Sequence, residues 1–366
     1  MLHGCPGEAI ATNGISANIV DEDNEMKYSV HQGAGQAGVT FWDAGMFKRM
    51  HRWIGLGALL CAGWAYAAFP AKPITLVVPF PAGGPADVMG RSLARAMSER
   101  LGQQVIVENR PGAGGALGIA AVARSPADGY TMSMAGTGAM VYAPFIVQKM
   151  PFDPLKGVTH LGTMVRTPNV LVVKMNSGIE TLSDLVVRAR AEPGKLRIAV
   201  AGMGSSTHVV GALLQSEAGI RLNVVPYKGA APAVQDLIGG HVDMFIAEVP
   251  AVAHFIKAGT LRGLLVTDTK RLSLLPEVPT AAQSGVPKLL ADGTYGVIAP
   301  PGLPADVAAK LANAVADAVS SSDVSGKFAK HGGIAQPGTP GAYRALLESE
   351  QRRWAPVIKA AGITAE

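Results

Sequence analysis

The sequence predicts an α/β protein of two similar halves, each a parallel-rich sheet flanked by helices. Three observations predict it. Short apolar, β-branched runs alternate with segments of helical periodicity along most of the chain. A strand, glycine loop and helix occur in that order twice, from Ile74 to Leu101 and from Leu196 to Glu217. The chain has 366 residues, 48% hydrophobic and only 16% charged, enough to fill two folded domains.

The first stretch is read as processing signal rather than fold. Lys48, Arg49 and Arg52 form a basic region, and Trp53 to Ala62 is an apolar core too short to span a bilayer. Ala65-Tyr66-Ala67 supplies a small-x-small cleavage site, which places the mature start at Ala68 and the protein in the periplasm. A lipoprotein site at Cys61 is disfavoured because bulky Leu60 precedes it. Residues 46–67 are therefore expected to be a cleaved signal peptide. The polar, glycine-rich residues 1–45 are expected to be a mis-called or non-native extension, with the true start at Met46 or Met50.

The mature chain has no cysteine, since Cys5 and Cys61 both precede the cleavage site. The whole chain carries a net charge of +5, and the removed segment holds more acids than bases, so the mature part is more basic still. Such a surface steers small anions. Lys and Arg are spread rather than clustered and aromatics are scarce at 5%, so no nucleic-acid partner is expected.

In order, Ile74 to Phe80 is a strand, and Ala86 to Leu101 a helix with Val88, Met89, Leu93, Met97 and Leu101 on one stripe. Gln104 to Glu108 is a strand, Ala116 to Arg124 a small-residue helix, and Tyr130 to Ala135 a strand ending in Gly136-Thr137-Gly138. Asn169 to Val173, Leu182 to Ala191 and Leu196 to Ala201 open the second unit as strand, helix, strand. Val209 to Glu217 is a helix, Leu222 to Val225 a strand, Pro226 to Gly229 a turn and Pro232 to Gly239 a helix. Val242 to Ala247, Leu261 to Thr267 and Gly296 to Ala299 are strands; Ala305 to Ser320, Val324 to Lys330 and Ala342 to Ala360 are helices. Domain crossings are placed near Thr167–Leu171 and Gly296–Pro300, giving one domain of 68–168 plus 299–366 and another of 169–298.

The functional signal lies in the loops. Phe80-Pro81-Ala82-Gly83-Gly84 joins a strand to a helix that begins with Pro85, whose missing N–H costs that position nothing. Glycines let the backbone approach a guest, and bare helix-start N–H groups attract an anion without a basic side chain. Gly202-Met203-Gly204-Ser205-Ser206-Thr207-His208 repeats the arrangement with added hydroxyls. Those hydroxyls are read as ligand donors, although one of them would serve as an ordinary helix cap. Asp87 either contacts a ligand donor or, as the slightly favoured reading, complements the helix dipole. Tyr227 either lines the cleft or packs on its turn, and Lys228 is expected to be solvated. Together the loops predict a carboxylate site.

Other chemistries find little support. Gly202-x-Gly204-x-x-Thr207 lacks the third glycine and the downstream acid of a dinucleotide fingerprint. There is no Walker A sequence, nucleophile elbow or HExxH. His160, His208, His241, His254 and His331 show no metal-ligand spacing. No cofactor, metal or catalytic residue is expected, and adjacent Ser and His at a helix start do not face each other as a catalytic pair would. An enzyme on the same scaffold, and a sensory module acting through a membrane kinase, remain as rival readings.

Five motifs stand in order: Val78 to Asp87, Glu108 to Gly115, Pro226 to Gly229 with Pro232-Ala233, Asp236 to Asp243, and Leu275 to Thr280. Together they resemble the Bug (TctC-type) extracytoplasmic solute receptors of tripartite tricarboxylate transporters, over essentially the whole mature chain. The resemblance implies a Venus-flytrap fold of type II-like character and a periplasmic receptor for a small carboxylate, which is expected to be non-enzymatic and monomeric. It implies delivery to a membrane permease with one large and one small integral subunit. By position it implies a first carboxylate loop of Phe80, Ala82, Gly83, Gly84 and Asp87, and a second of Gly204, Ser205, Ser206 and His208. Gly136 and Thr137 would line the cleft floor. Where many members have an Asp after the Val-Asp strand, this chain has Ala247 followed by Glu248, so both join the expected ligand-binding residues and the ligand class stays open.

Overall fold

The computed structural model describes residues 69–364; the expected extension and signal peptide lie outside them. In chain order the elements are β1 (Ile74–Val78), α1 (Pro85–Leu101), β2 (Val105–Asn109), α2 (Ala116–Ala123), β3 (Thr131–Gly136), α3 (Ala143–Ile146), β4 (Thr159–Lys174), α4 (Leu182–Ala191), β5 (Arg197–Val200) and α5 (Ser206–Ala218). They continue as β6 (Asn223–Pro226), α6 (Ala230–Gly239), β7 (Met244–Glu248), α7 (Val249–Lys257), β8 (Leu261–Val266), β9 (Asp292–Ala299), α8 (Ala305–Ser320), α9 (Ser322–Lys330), β10 (Ile334–Ala335) and α10 (Pro340–Ala360). A π-helical turn at Gly138–Tyr142 links β3 to α3.

The strands form one sheet in the order β2-β1-β3-β9-β4-β7-β5-β6, with β8 and β10 also pairing β4. Its two ends are parallel: β1 pairs β2 and β3, and β5 pairs β6 and β7. Its middle is antiparallel, because β9 pairs β3 and β4, and β7 and β8 pair β4. Strand β4 is the spine. Its residues up to Pro168 pair β9, and from Asn169 onward it pairs β7.

Helices cover both faces. In the first half, Met89, Leu93 and Met97 of α1 and Leu311 and Val315 of α8 are buried with Leu76, Met134 and Val165 of the sheet; Val88 of the expected stripe is only half-buried. In the second half, Val234 and Leu237 of α6 pack with Val170, Phe245 and Ala247. The third cluster spans both halves. Met140 and Tyr142 of the π-turn, Val209 and Leu213 of α5 and Trp354 of α10 share one core with Leu171 and Ile246.

Three features differ from the expected elements. The strand expected at Asn169–Val173 is the second half of the 16-residue β4. Its first half is masked in sequence by Gly162 and Pro168 and by two register shifts, at His160/Gly162 and Thr163/Val165, where the strand bulges. Helix α7, with Pro250 in its first turn, was not expected at all. Strand β9 begins at Asp292, not Gly296, because Asp-Gly-Thr reads as a turn. From Asp292 onward, all of β9 pairs β3 or the first half of β4.

Candidate ligand-binding site

Parallel pairing puts the loops after β1 and β3 on one edge of the sheet. It likewise puts the loop after β5, the turn after β6 and the end of β7 on one edge. The two edges converge on the crossover. Gly136 of β3 lies opposite Tyr295 of β9, Gly293 of β9 opposite Thr167 of β4, and Asn169 of β4 opposite Glu248 of β7.

Side chains close that convergence. The Tyr295 hydroxyl donates to Glu248 Oε2 at 3.0 Å, and the Thr167 hydroxyl donates to the same oxygen at 2.9 Å. A Cβ on Gly293 would lie 2.5 Å from Thr167 Oγ1 and 2.7 Å from Glu248 Oε1, so glycine is what lets the carboxyl reach β9. The Tyr295 ring packs edge-on to Phe80, with centroids 5.8 Å apart, and a Cβ on Gly136 would meet it at 2.9 Å. Thr137 Oγ1 accepts the Thr294 amide at 2.7 Å and ties β3 to β9. Thus Phe80, Gly136, Thr137 and Glu248 all pack on or bond to Thr294 and Tyr295 of β9. Sequence reasoning missed Tyr295, Thr167 and Gly293, because it began the strand at Gly296 and left the residues before it unassigned.

The first glycine loop is held from within. Gly83 has φ +80°, and its amide donates to Asp87 Oδ2 at 3.0 Å. Asp87 is 4% exposed and also accepts from Arg91 Nε at 3.0 Å and Asn109 Nδ2 at 2.9 Å. Burial pushes its carboxyl up, but those bonds outweigh burial and hold it below the usual carboxylate range. Its oxygens are occupied by the protein, so Asp87 positions the loop. Gly84 caps α1 with no side-chain bond to the helix start. Ala82 and Gly83 are exposed and Gly84 is half-buried.

The second loop uses the same device. Gly204 has φ +70°, and its amide donates to His208 Nδ1 at 3.1 Å. Burial lowers the imidazole's proton affinity, and accepting at Nδ1 fixes the neutral form with hydrogen on Nε2. Ser205 Oγ accepts the His208 amide at 3.3 Å and sits 2.9 Å from Thr207 Oγ1, which accepts the Ala201 amide at 2.7 Å. Ser206 is half-buried at the first position of α5. A Cβ on Gly204 would meet Ile146 at 2.8 Å, so this loop lies against α3 of the other half.

Two expected ligand residues face elsewhere. Ala247 is fully buried in the core beneath α6 and α7, and the strand's alternation sends Glu248 to the other face. Its side chain therefore has no surface to offer. Tyr227 donates to Asp236 Oδ2 at 2.8 Å, and burial with that bond pushes its phenol up to about 12. It packs on its own turn.

Comparison with known proteins agrees with this architecture. The model of the tripartite tricarboxylate transporter family receptor matches residues 89–363. Protein BugT of Bordetella pertussis strain Tohama I is 36% identical over 295 residues, covering 80% of this chain and 90% of BugT. Rhodopseudomonas palustris Rpa4515, solved with adipate, superposes with a TM-score of 0.76 at 34% identity, covering 81% of this chain and 99% of its own. MatC of the same species, solved with bound malate, gives 0.73 at 30% identity, covering 79% and 100%.

Proposed function

The chain belongs to the tripartite tricarboxylate transporter receptor family, and on that premise we propose that it is a periplasmic receptor holding one small carboxylated metabolite between its two glycine loops. The observation that carries this is the twin lock. In each half a side chain four residues on accepts the amide of a left-handed glycine, Gly83 by Asp87 and Gly204 by His208. Both loops are thereby fixed with their helix starts turned to the edge where the halves meet, a donor array suited to an anion. Relatives of the same fold have been solved with adipate and with malate, both small dicarboxylates.

Residues 69–168 with 292–364 form one lobe and 169–291 the other, and the crossings at Pro168–Asn169 and Ala291–Asp292 are the hinge. Closure removes water and strengthens each bond to the ligand. The closed form is what a permease with one large and one small integral subunit recognises, and an amino-terminal signal delivers the receptor to that compartment. The role is binding rather than catalysis. His208 Nδ1 accepts from Gly204 and Ser205 Oγ meets only the His208 backbone amide and Thr207, so the two do not form a nucleophile–base pair.

The test is a thermal-shift screen of the 68–366 protein against carboxylates, with adipate and malate included. A binder raises the midpoint by mass action. A panel of mono-, di- and tricarboxylates that leaves the midpoint unmoved contradicts the receptor assignment.

A further inference from the structure

Glu248 is an acid on the floor of a cleft read as an anion site. It ends β7 on the same edge as the second glycine loop, and Tyr295, its partner, packs on Phe80 and Gly136 beneath the first. Among the described residues no Lys, Arg or His pairs with it. Its neighbours are hydroxyls and another acid. Thr167 of β4 and Tyr295 of β9 bond to it, and Asp292 of β9 and Tyr142 of the π-turn are near enough to feel its charge. Asp292 itself is bound to Arg166 at 2.6 Å, so that cation is engaged by Asp292 and by Asp268.

The two carboxyl oxygens are not equivalent. Oε2 accepts the Tyr295 hydroxyl at 3.0 Å and lies 2.9 Å from the Thr167 hydroxyl, whose hydrogen it shares with the Gly293 carbonyl at 3.0 Å. Oε1 has only the long 3.3 Å approach of the Tyr295 hydroxyl, and it is free to carry hydrogen. With Oε2 as the carbonyl-like oxygen, Oε1 is the one left to carry hydrogen toward a ligand.

We propose that ligand binding adds one solvent proton to Glu248, so that the cleft takes up its acid ligand and a proton together. This rests on the receptor assignment above. An arriving carboxylate brings a second negative charge to a half-buried site without a cation for Glu248, and protonation at Oε1 converts that repulsion into a donated hydrogen bond. In the empty protein burial raises the proton affinity of Glu248, the Thr167 and Tyr295 hydroxyls lower it and the charge of Asp292 raises it again, so the carboxyl still ionises as pH rises and an arriving anion returns the proton. The tyrosine phenols do not compete for the proton change, because burial holds both above their ordinary range.

The experiment is isothermal titration of adipate and malate into the wild-type 68–366 protein and Glu248→Gln, at several values between pH 5 and 9, in buffers of different ionisation heat. The wild type is expected to take up as much as about one proton per ligand, with Kd rising by up to about tenfold per pH unit between the Glu248 pKa of the empty protein and that of the loaded one. Glu248→Gln, which mimics the neutral acid, binds without that uptake and with a flatter pH profile. Infrared difference spectra of loaded minus empty wild type, independent of any variant, show a new protonated-carboxyl band. No uptake by the wild type at any pH, no such band, or equal uptake by Glu248→Gln overturns the proposal while leaving the receptor assignment intact. Failure of both probes and of every other carboxylate to bind overturns the two together.

Discussion

His208 Nδ1 accepts the amide of Gly204 at 3.1 Å, and so does for the second loop what Asp87 does for the first. The repeat is geometric rather than chemical. One half uses a carboxylate that stays ionised, the other an imidazole that must stay neutral to accept.

That difference makes the second loop acid-sensitive. Burial lowers the folded-state pKa of His208, so its contribution to stability is fully present above the unfolded value of about 6.5. It is lost as pH falls through the lower folded value. Urea unfolding is expected to show a stability loss between pH 7.5 and pH 5, and His208→Asn, which keeps an acceptor near the Nδ1 position, is expected to shrink it. An unchanged pH dependence in the variant excludes His208 as its source.

Asp87 is expected to matter for folding more than for ligand contact. Asp87→Ala strands the amide of Gly83 and the Asn109 amide, and costs about 2–3 kcal/mol in chemical unfolding. The Arg91 side chain is half in solvent, so the ion pair itself contributes little of this. Asp87→Asn, which retains an acceptor, is expected to lose less.

Gly293 and Gly83 are expected to fail for different reasons. A Cβ at Gly293 collides with Thr167 and Glu248, so Gly293→Ala costs about 1–3 kcal/mol by overpacking. Gly83 has open space around it, and Gly83→Val costs about 1–2 kcal/mol through its left-handed backbone alone. Carboxylate binding should nevertheless be lost in Gly83→Val, because the loop no longer presents its amides. Unchanged binding in a folded Gly83→Val protein counts against the loop as a ligand contact.

Tyr295→Phe isolates the hydroxyl from the ring. The packing on Phe80 and Gly136 remains, while Glu248 loses one of its two donors, a loss of about 1–2 kcal/mol in unfolding.

Much of this was legible in the sequence because local signals agreed with the fold. Pro85 at a helix start, the stripe from Met89 to Leu101 and the glycines of each loop mark strand, loop and helix without tertiary information. The crossover was less legible. β4 is hidden by bulges at Gly162 and its neighbours, and Asp292-Gly293-Thr294 looks like a turn although it is a strand whose glycine makes room for Glu248. Tyr295 becomes visible as a site residue only once β9 lies beside β4, a contact more than a hundred residues apart in sequence. The burial of Ala247 was not legible either, because strand alternation, which turns it into the core, depends on where β7 ends.

The central claim is that one ligand engages both loops at once. Hydrogen–deuterium exchange of the 68–366 protein, with and without a saturating carboxylate, tests it directly. The account predicts that amides in Ala82–Asp87 and Gly204–His208 become protected together, at the same ligand concentration. Protection of one segment alone, or protection confined to other parts of the chain, would contradict it.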